Sequence, residues 1–210
     1  MLSGSKIKSF GMLCLCLLMS RQLGCWQRCW LNKSTLPPLL GFRLGMSREE
    51  LETKLPGLKV KDAPYTELFL SGSKTVPNGG DVSPVDEIGH VTVSTLRFPE
   101  FAEISTLELK LEDGRVAAIE LIYQDSSKWK NEDEFVAFVA QTLNLPDLQH
   151  WDTKLSNKSG GTGTSVTCNG LTVRAGFHLI VGAGLGGPAA IAFPFITIED
   201  DRSRRKLRRE

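Results

Sequence analysis

Apolar and polar residues alternate most regularly in two segments, 106–112 and 115–123, where Leu107, Leu109 and Leu111 recur at every second position. Asp113-Gly114 joins them, and an Asp-Gly link between alternating segments predicts a two-residue β-hairpin. A second hairpin is expected where residues 164–168 and 171–177 flank Asn169-Gly170. Residues 90–96 are expected to add a strand beside the first hairpin, 58–60 and 66–70 two short strands, and 189–198 the last one. Helical spacing is confined to two stretches. Ser47-Arg48-Glu49-Glu50 fits a capping box, with Met46 and Leu51 spaced as a hydrophobic staple, so a helix over 47–54 is expected, ended by Pro56-Gly57. Asn131-Glu132-Asp133-Glu134 opens a second helix, in which Phe135, Phe138, Val139 and Leu143 share one face until Leu145-Pro146 stops it.

These elements predict an α+β fold: an antiparallel sheet with short helices packed on one face. Their order is helix then strands, twice over, which divides the body into two candidate tandem units, 41–124 and 131–200. Leu55-Pro56-Gly57-Leu58-Lys59 and Leu145-Pro146-Asp147-Leu148-Gln149 each close a helix and hint at a duplication ninety residues apart. The two hairpin turns, only fifty-six residues apart, argue against it. Between Ser71 and Gly89 the chain is rich in Gly, Pro and Asp; so long a loop is mobile or is where contact happens. Residues 32–40, with Pro37 and Pro38, look like a tether, and the globular domain is expected to span 41–200.

The N-terminus changes the compartment. Lys6 and Lys8 precede a ten-residue apolar run, 10–19, which has the layout of a charged n-region and an h-region. A span needs roughly 20 apolar residues, so removal or anchoring of a 1–24 segment is expected rather than a helix that stays in the bilayer. Leu23-Gly24-Cys25 has the small residue before a cysteine that marks a lipidation site, although Arg21 and Gln22 depart from the pattern. Cys25 is therefore the candidate for membrane anchoring, ahead of a 25–40 linker, and a plain N-terminal extension is the alternative. Cys14 and Cys16 lie inside the apolar run and behave as small hydrophobes. Cys29 and Cys168 remain as a candidate disulfide, which an exporting route would permit.

The segment Phe42-Arg43-Leu44-Gly45-Met46-Ser47-Arg48-Glu49-Glu50-Leu51, followed by a Leu-Pro-Gly break and antiparallel strands, resembles the Gly-Met-Ser/Thr helix start of SmpA/OmlA lipoproteins and β-lactamase-inhibitor-like folds. That resemblance implies small helices on one face of an antiparallel sheet, and a surface serving protein–protein contact in the bacterial envelope. It covers about ten residues plus element order, and the 71–89 insertion and the second helix-plus-strands unit depart from a single-repeat lipoprotein. Gly45 and Met46 look like turn and core positions, so no functional residue carries over.

Little in the sequence prepares a reaction. Gly182-Ala183-Gly184-Leu185-Gly186-Gly187 satisfies G-x-G-x-x-G, but Pro188, Pro194 and a strand-like Ile191-Ala192-Phe193 follow where a dinucleotide loop needs a helix N-terminus. Gly160-Gly161-Thr162-Gly163 lacks the Lys of a phosphate loop and reads as a turn. His90, His150 and His178 show no spacing that would prepare a metal site or a general base. There is no G-x-S-x-G, Cys168 sits at a strand end, and the acidic pairs Glu112/Asp113 and Asp86/Glu87 belong to turns. No catalytic, cofactor or metal residue is expected.

Charge adds an exclusion. The 25 Lys and Arg nearly cancel the 24 Asp and Glu, so no global field favours a nucleic acid. A basic tail, 201–210, is expected to be solvated. The sequence thus points to an exported module, periplasmic, membrane-anchored or secreted, that binds a protein partner in the envelope through its bare sheet face and the 71–89 loop. The rival readings are a hydrolase-like enzyme with a cleft between the two units, and a lipid-anchored structural subunit.

Overall fold

The computed structural model describes residues 31–145, 151–153, 162–184 and 187–201. Cys14, Cys16, Cys25, Cys29, His150, the segment 1–24 and the tail beyond residue 201 lie outside the described residues. The chain forms α1 (Arg48–Lys54), β1 (Tyr65–Ser73), β2 (His90–Ser94), β3 (Ile104–Glu112), β4 (Arg115–Tyr123), α2 (Glu132–Thr142), β5 (Asp152–Thr153), β6 (Thr162–Cys168), β7 (Leu171–Gly184) and β8 (Gly187–Asp200). Their class is α+β, an almost wholly antiparallel sheet with short helices.

Both helices begin where side-chain chemistry says they should. Ser47 Oγ accepts from the Glu50 backbone N–H while the Glu50 carboxylate accepts from the Ser47 N–H at 2.7 Å, which satisfies two of the donors a helix start leaves orphaned. Asn131 does the same for α2, accepting from Glu134 N–H at 2.9 Å, and the acidic first turn of Glu132, Asp133 and Glu134 complements the positive end of the helix dipole. Both expected hairpins form: β3–β4 turns at Asp113-Gly114, β6–β7 at Asn169-Gly170, and all four turn residues hold positive φ as that turn type requires.

The eight strands make one sheet in the order β2-β1-β3-β4-β8-β7-β6-β5. Each helix-plus-strands set supplies one half, and the two halves meet where β4 pairs with β8, from Ala118↔Glu199 to Ile122↔Phe195. The halves are not copies, because β2 runs parallel to β1 whereas β5 is antiparallel to β6. Leu68, Leu70, Leu107, Leu109, Ile119, Leu121, Ile196, Ile198, Val173 and Ala175 turn to the same side and are buried. Leu51 of α1 and Phe135, Val136 and Val139 of α2 join them in one apolar cluster. Around α2 the aromatic rings lock together: Phe135 meets Trp129, Tyr123 and Phe177 at 4.7, 5.9 and 5.6 Å, each edge to face.

Four expectations are corrected. Residues 58–60 form no strand, because Leu58 N–H donates to Leu55 and Val60 N–H to the Glu52 carboxylate, so the chain wraps back on α1. The strand at residues 90–94 does not lie beside the first hairpin but pairs with the far edge of β1. Gly89 makes that approach feasible, since at φ +89° a side chain would be driven into the Glu67 backbone. Residues 32–40 are no free tether, since Leu31 and Leu39 are buried in the core and Asn169 donates to Leu31 C=O at 3.1 Å. The 71–89 segment is shorter as a loop than it reads: Ser71 to Ser73 extend β1, Pro77–Gly79 form a 3-10 turn and Val82 bridges to Val93.

Leu109 is fully buried at the centre of this face. Leu109→Ala is expected to lower stability by about 3 kcal/mol, and Ser47→Ala by about 1 kcal/mol through loss of the cap, both read from urea unfolding midpoints.

Candidate interaction surface

The side of the sheet opposite the helices carries polar residues, and the registers align them. One continuous cross-strand row runs His90, Phe69, Glu108, Glu120, Thr197, Arg174, Ser165, Asp152 from β2 to β5. Flanking it are Glu67, Lys110, Ala118, Glu199, Thr172 and Thr167 on one side. Glu108 and Glu120 therefore stand directly opposite, a like-charge pairing that costs stability unless each finds a compensating partner.

Each does. Lys110 Nζ lies 3.0 Å from Glu108 and 3.6 Å from Glu67, while His178 Nε2 lies 3.5 Å from Glu120 Oε1. Thr197 Oγ1 donates to the other Glu120 oxygen at 3.4 Å. Further along, Arg174 faces Glu199 at 3.2 Å, with the two side chains only 17% and 23% exposed. Shielded from water in this way, such a pair outweighs an ordinary surface bridge. The His178 ring stacks on Phe195 at 4.2 Å, and Phe195 in turn stands across from Gly176, where a second bulky residue would collide with the β6 backbone.

The electrostatics follow from these partners. Burial raises the Glu108 carboxyl above its ordinary range against the pull of Lys110, with the charges of Glu120 and Glu67 adding to the rise. Burial works the same way on Glu120, but the His178 hydrogen bond and charge, Lys110 and Thr197 outweigh it and hold that carboxyl below its ordinary range. Tyr65 is pushed up to about 12 by burial, then by its hydrogen bond to Glu67. The two facing carboxyls are thus shifted in opposite directions.

At one end of the row the β1 and β2 termini meet the 71–89 segment and form an open cleft of about 430 Å³, lined by Lys74, Thr75, Gly80, Asp81, Ser94 and Arg97. Arg97 and Asp81 face each other across it at 3.8 Å, and Leu96 at its rim is 80% exposed. Nearby, Asp86 is held below its ordinary range chiefly by the His90 backbone N–H, then by that of Ile88 and the His90 charge, and its second oxygen lies 3.3 Å from His90 Nδ1.

Sequence reasoning found no histidine paired with a carboxylate, yet both described histidines have one. His90 reaches back four residues to Asp86, and His178 reaches Glu120 across β8, a pairing visible only once the register is known. The two imidazoles stay apart, on β2 and β7 with four strands between them. At His178 the carboxylate, not the imidazole, is the middle member: Glu120 bridges His178 and Thr197. Among the described residues no three His, Cys, Asp or Glu side chains cluster as a metal site needs.

Cys168 is disulfide-bonded. It is the one cysteine among the described residues, so the expected half-partner Cys29, like the lipidation candidate Cys25, lies outside them. Of the G-x-G-x-x-G run, Gly182 and Gly184 lie on β7 and Gly187 begins β8, so a strand rather than a helix follows it; Leu185 and Gly186 lie outside the described residues. Among the described residues no helix is long and apolar enough to cross a membrane. No family model matches the chain, and neither a curated protein nor a solved structure is similar to it.

A carboxyl whose folded pKa is depressed contributes stability above its unfolded value, roughly 4.3, and that contribution vanishes as pH falls through the folded value. Glu120→Gln is accordingly expected to cost about 1 kcal/mol at neutral pH and progressively less as pH is lowered into the acid range, compared by urea unfolding. Glu108, raised instead, carries the opposite sign and is present in both proteins.

Proposed function

We propose that this protein is an exported or envelope-associated module that acts by binding a protein partner, with the polar sheet face and the cleft at the ends of β1 and β2 as its contact surface. The observation that carries this reading is the cross-strand row from His90 to Asp152, polar on every strand but β1, in which Glu108 and Glu120 each find a partner on the same face. A surface of this kind is pre-organised for docking, because its side chains are already fixed by their neighbours and lose little freedom on contact. Tyr65, His90 and Thr167 are exposed on it, and tyrosine supplies large contact area at small entropic cost. Glu67, Glu108, Glu112, Glu120, Asp152 and Glu199 outnumber Lys110, Arg115 and Arg174, so the complementary partner surface is basic.

Export is supported by the disulfide at Cys168, a bond that persists in oxidising compartments, and by the charged and apolar layout of the first 24 residues. The resemblance to SmpA/OmlA-like and β-lactamase-inhibitor-like proteins leads to the same compartment and the same mode of action. An anchored form would carry lipid on Cys25.

In the native host, cross-linking with wild-type protein is expected to recover a partner that the double variant Tyr65→Ala, Thr167→Arg loses about tenfold or more, whereas Phe138→Ala on the helix side recovers it unchanged. Equal recovery by all three would remove the sheet face from consideration. Thiol alkylation of protein taken from the host is expected to label Cys168 only after reduction, and labelling without reductant would place the chain in a reducing compartment.

A further inference from the structure

The cleft at the ends of β1 and β2 differs in sign from the rest of the contact surface. Acids predominate along the sheet face, whereas the cleft holds two cations, Lys74 and Arg97, against one carboxylate, Asp81. Lys74 is exposed and makes no ion pair among the described residues. Arg97 faces Asp81 only at 3.8 Å, beyond hydrogen-bond length, and its side chain is 72% exposed, so the guanidinium keeps donors to offer. What this arrangement lacks is an anion.

The backbone holds the cleft open. Thr95 N–H donates to Ser73 C=O at 2.8 Å, which ties the β2 side to the β1 side, and Ser94 N–H donates to Asp81 C=O at 2.8 Å, which ties it to the returning segment. Ser94 C=O in turn accepts from Arg97 N–H at 3.2 Å and from Phe98 N–H at 2.8 Å, and so holds Leu96 and Arg97 in a tight turn at the rim. On the opposite wall Ser73 Oγ donates to Thr75 C=O at 3.0 Å and accepts from Thr75 N–H at 3.3 Å, while Gly79 N–H donates to Val76 C=O at 3.2 Å. A cleft formed in advance binds without the cost of ordering its loops.

Size and lining narrow the class of ligand. About 430 Å³ lies within the range of sites that take a ligand of small-molecule size. Leu96, 80% exposed, stands at the rim next to Arg97. An inorganic anion would engage the two cations and leave this side chain unused. Exposed ion pairs contribute little singly, so a ligand that adds an apolar contact to the charge has the advantage.

We propose that the cleft takes an acidic side chain of the protein partner together with an adjacent large apolar one, the carboxylate lying between Lys74 and Arg97 and the apolar group against Leu96. This inference rests on the reading that the protein binds a protein partner, and it gives that partner a specific feature: an acidic, apolar-flanked segment beside the basic surface that matches the sheet face.

The probe is the blocked dipeptide acetyl-Leu-Glu-amide, whose one charge is the side-chain carboxylate, titrated into the ¹⁵N-labelled full chain. Saturable amide shifts are expected at Lys74, Thr75, Leu96 and Arg97, with a dissociation constant in the millimolar range that rises with salt. Acetyl-Leu-Gln-amide and the double variant Lys74→Glu, Arg97→Glu are each expected to weaken binding about tenfold or more. The double variant Lys61→Glu, Lys130→Glu, which changes net charge equally at exposed sites elsewhere, is expected to bind as the wild type does. Absence of saturable shifts, saturation at other residues, equal binding of the glutamine peptide or an unaffected cleft variant overturns the proposal. So does inorganic phosphate binding the same amides as tightly as the peptide, which makes the cleft a free-anion site. The titration needs no native partner: its failure while cross-linking still recovers one overturns the cleft assignment alone, whereas failure to recover any partner overturns the reading beneath it.

Discussion

The antiparallel pairing of β4 with β8 is the contact on which the rest of the molecule depends. Through it two four-stranded halves become one sheet, and their separate apolar faces become one surface broad enough to hold both helices. Neither half has much core alone, and a small sheet with one short helix is a marginal object in water. Joining the halves places Ile119, Leu121, Ile196 and Ile198 at the middle of the buried face, where exclusion of water is most complete. The N-terminal lead uses the same surface: Leu39 and Phe42 close over it, and Lys33 pairs with Asp200 at the end of β8.

The same pairing builds the polar face. Glu120 lies on β4, Thr197 on β8 and His178 on β7, so their contacts exist only because those three strands are consecutive in the sheet. Placing Glu108 opposite Glu120 is locally unfavourable, and the molecule tolerates it by surrounding the two carboxylates with Lys110, His178 and Thr197. The result is a surface whose facing carboxylates are held by their neighbours, in place of a flexible polar one.

The local grammar of the fold was legible in the sequence. The Ser47 capping box, the Asn131 cap and the two hairpin turns rest on interactions within four residues, and all four formed where the residue types indicated. What depends on register or on distant packing was not. Residues 90–94 had the pattern of a strand, but nothing local distinguishes β1 from the hairpin as its neighbour, and the parallel partner is set by the free edge of β1 and by Gly89. Leu58 and Val60 have strand-like side chains that proved to be cover for α1, tertiary burial overriding propensity. The proline-bearing lead looked like linker because two isolated leucines, Leu31 and Leu39, carry no periodicity. Glu120 and His178 are fifty-eight residues apart, and no spacing rule reaches that far.

The position of β8 also governs the order in which the molecule can be completed. It is the last of the described strands and occupies the middle of the sheet, between β4 and β7. Until it has been synthesised, β4 ends in a bare edge and the two halves have nothing to join them. Structure closes by insertion of the final strand into a waiting gap, which makes assembly non-local and slow relative to synthesis. A chain built this way keeps the edges of β4 and β7 unjoined until residues 187–200 are available.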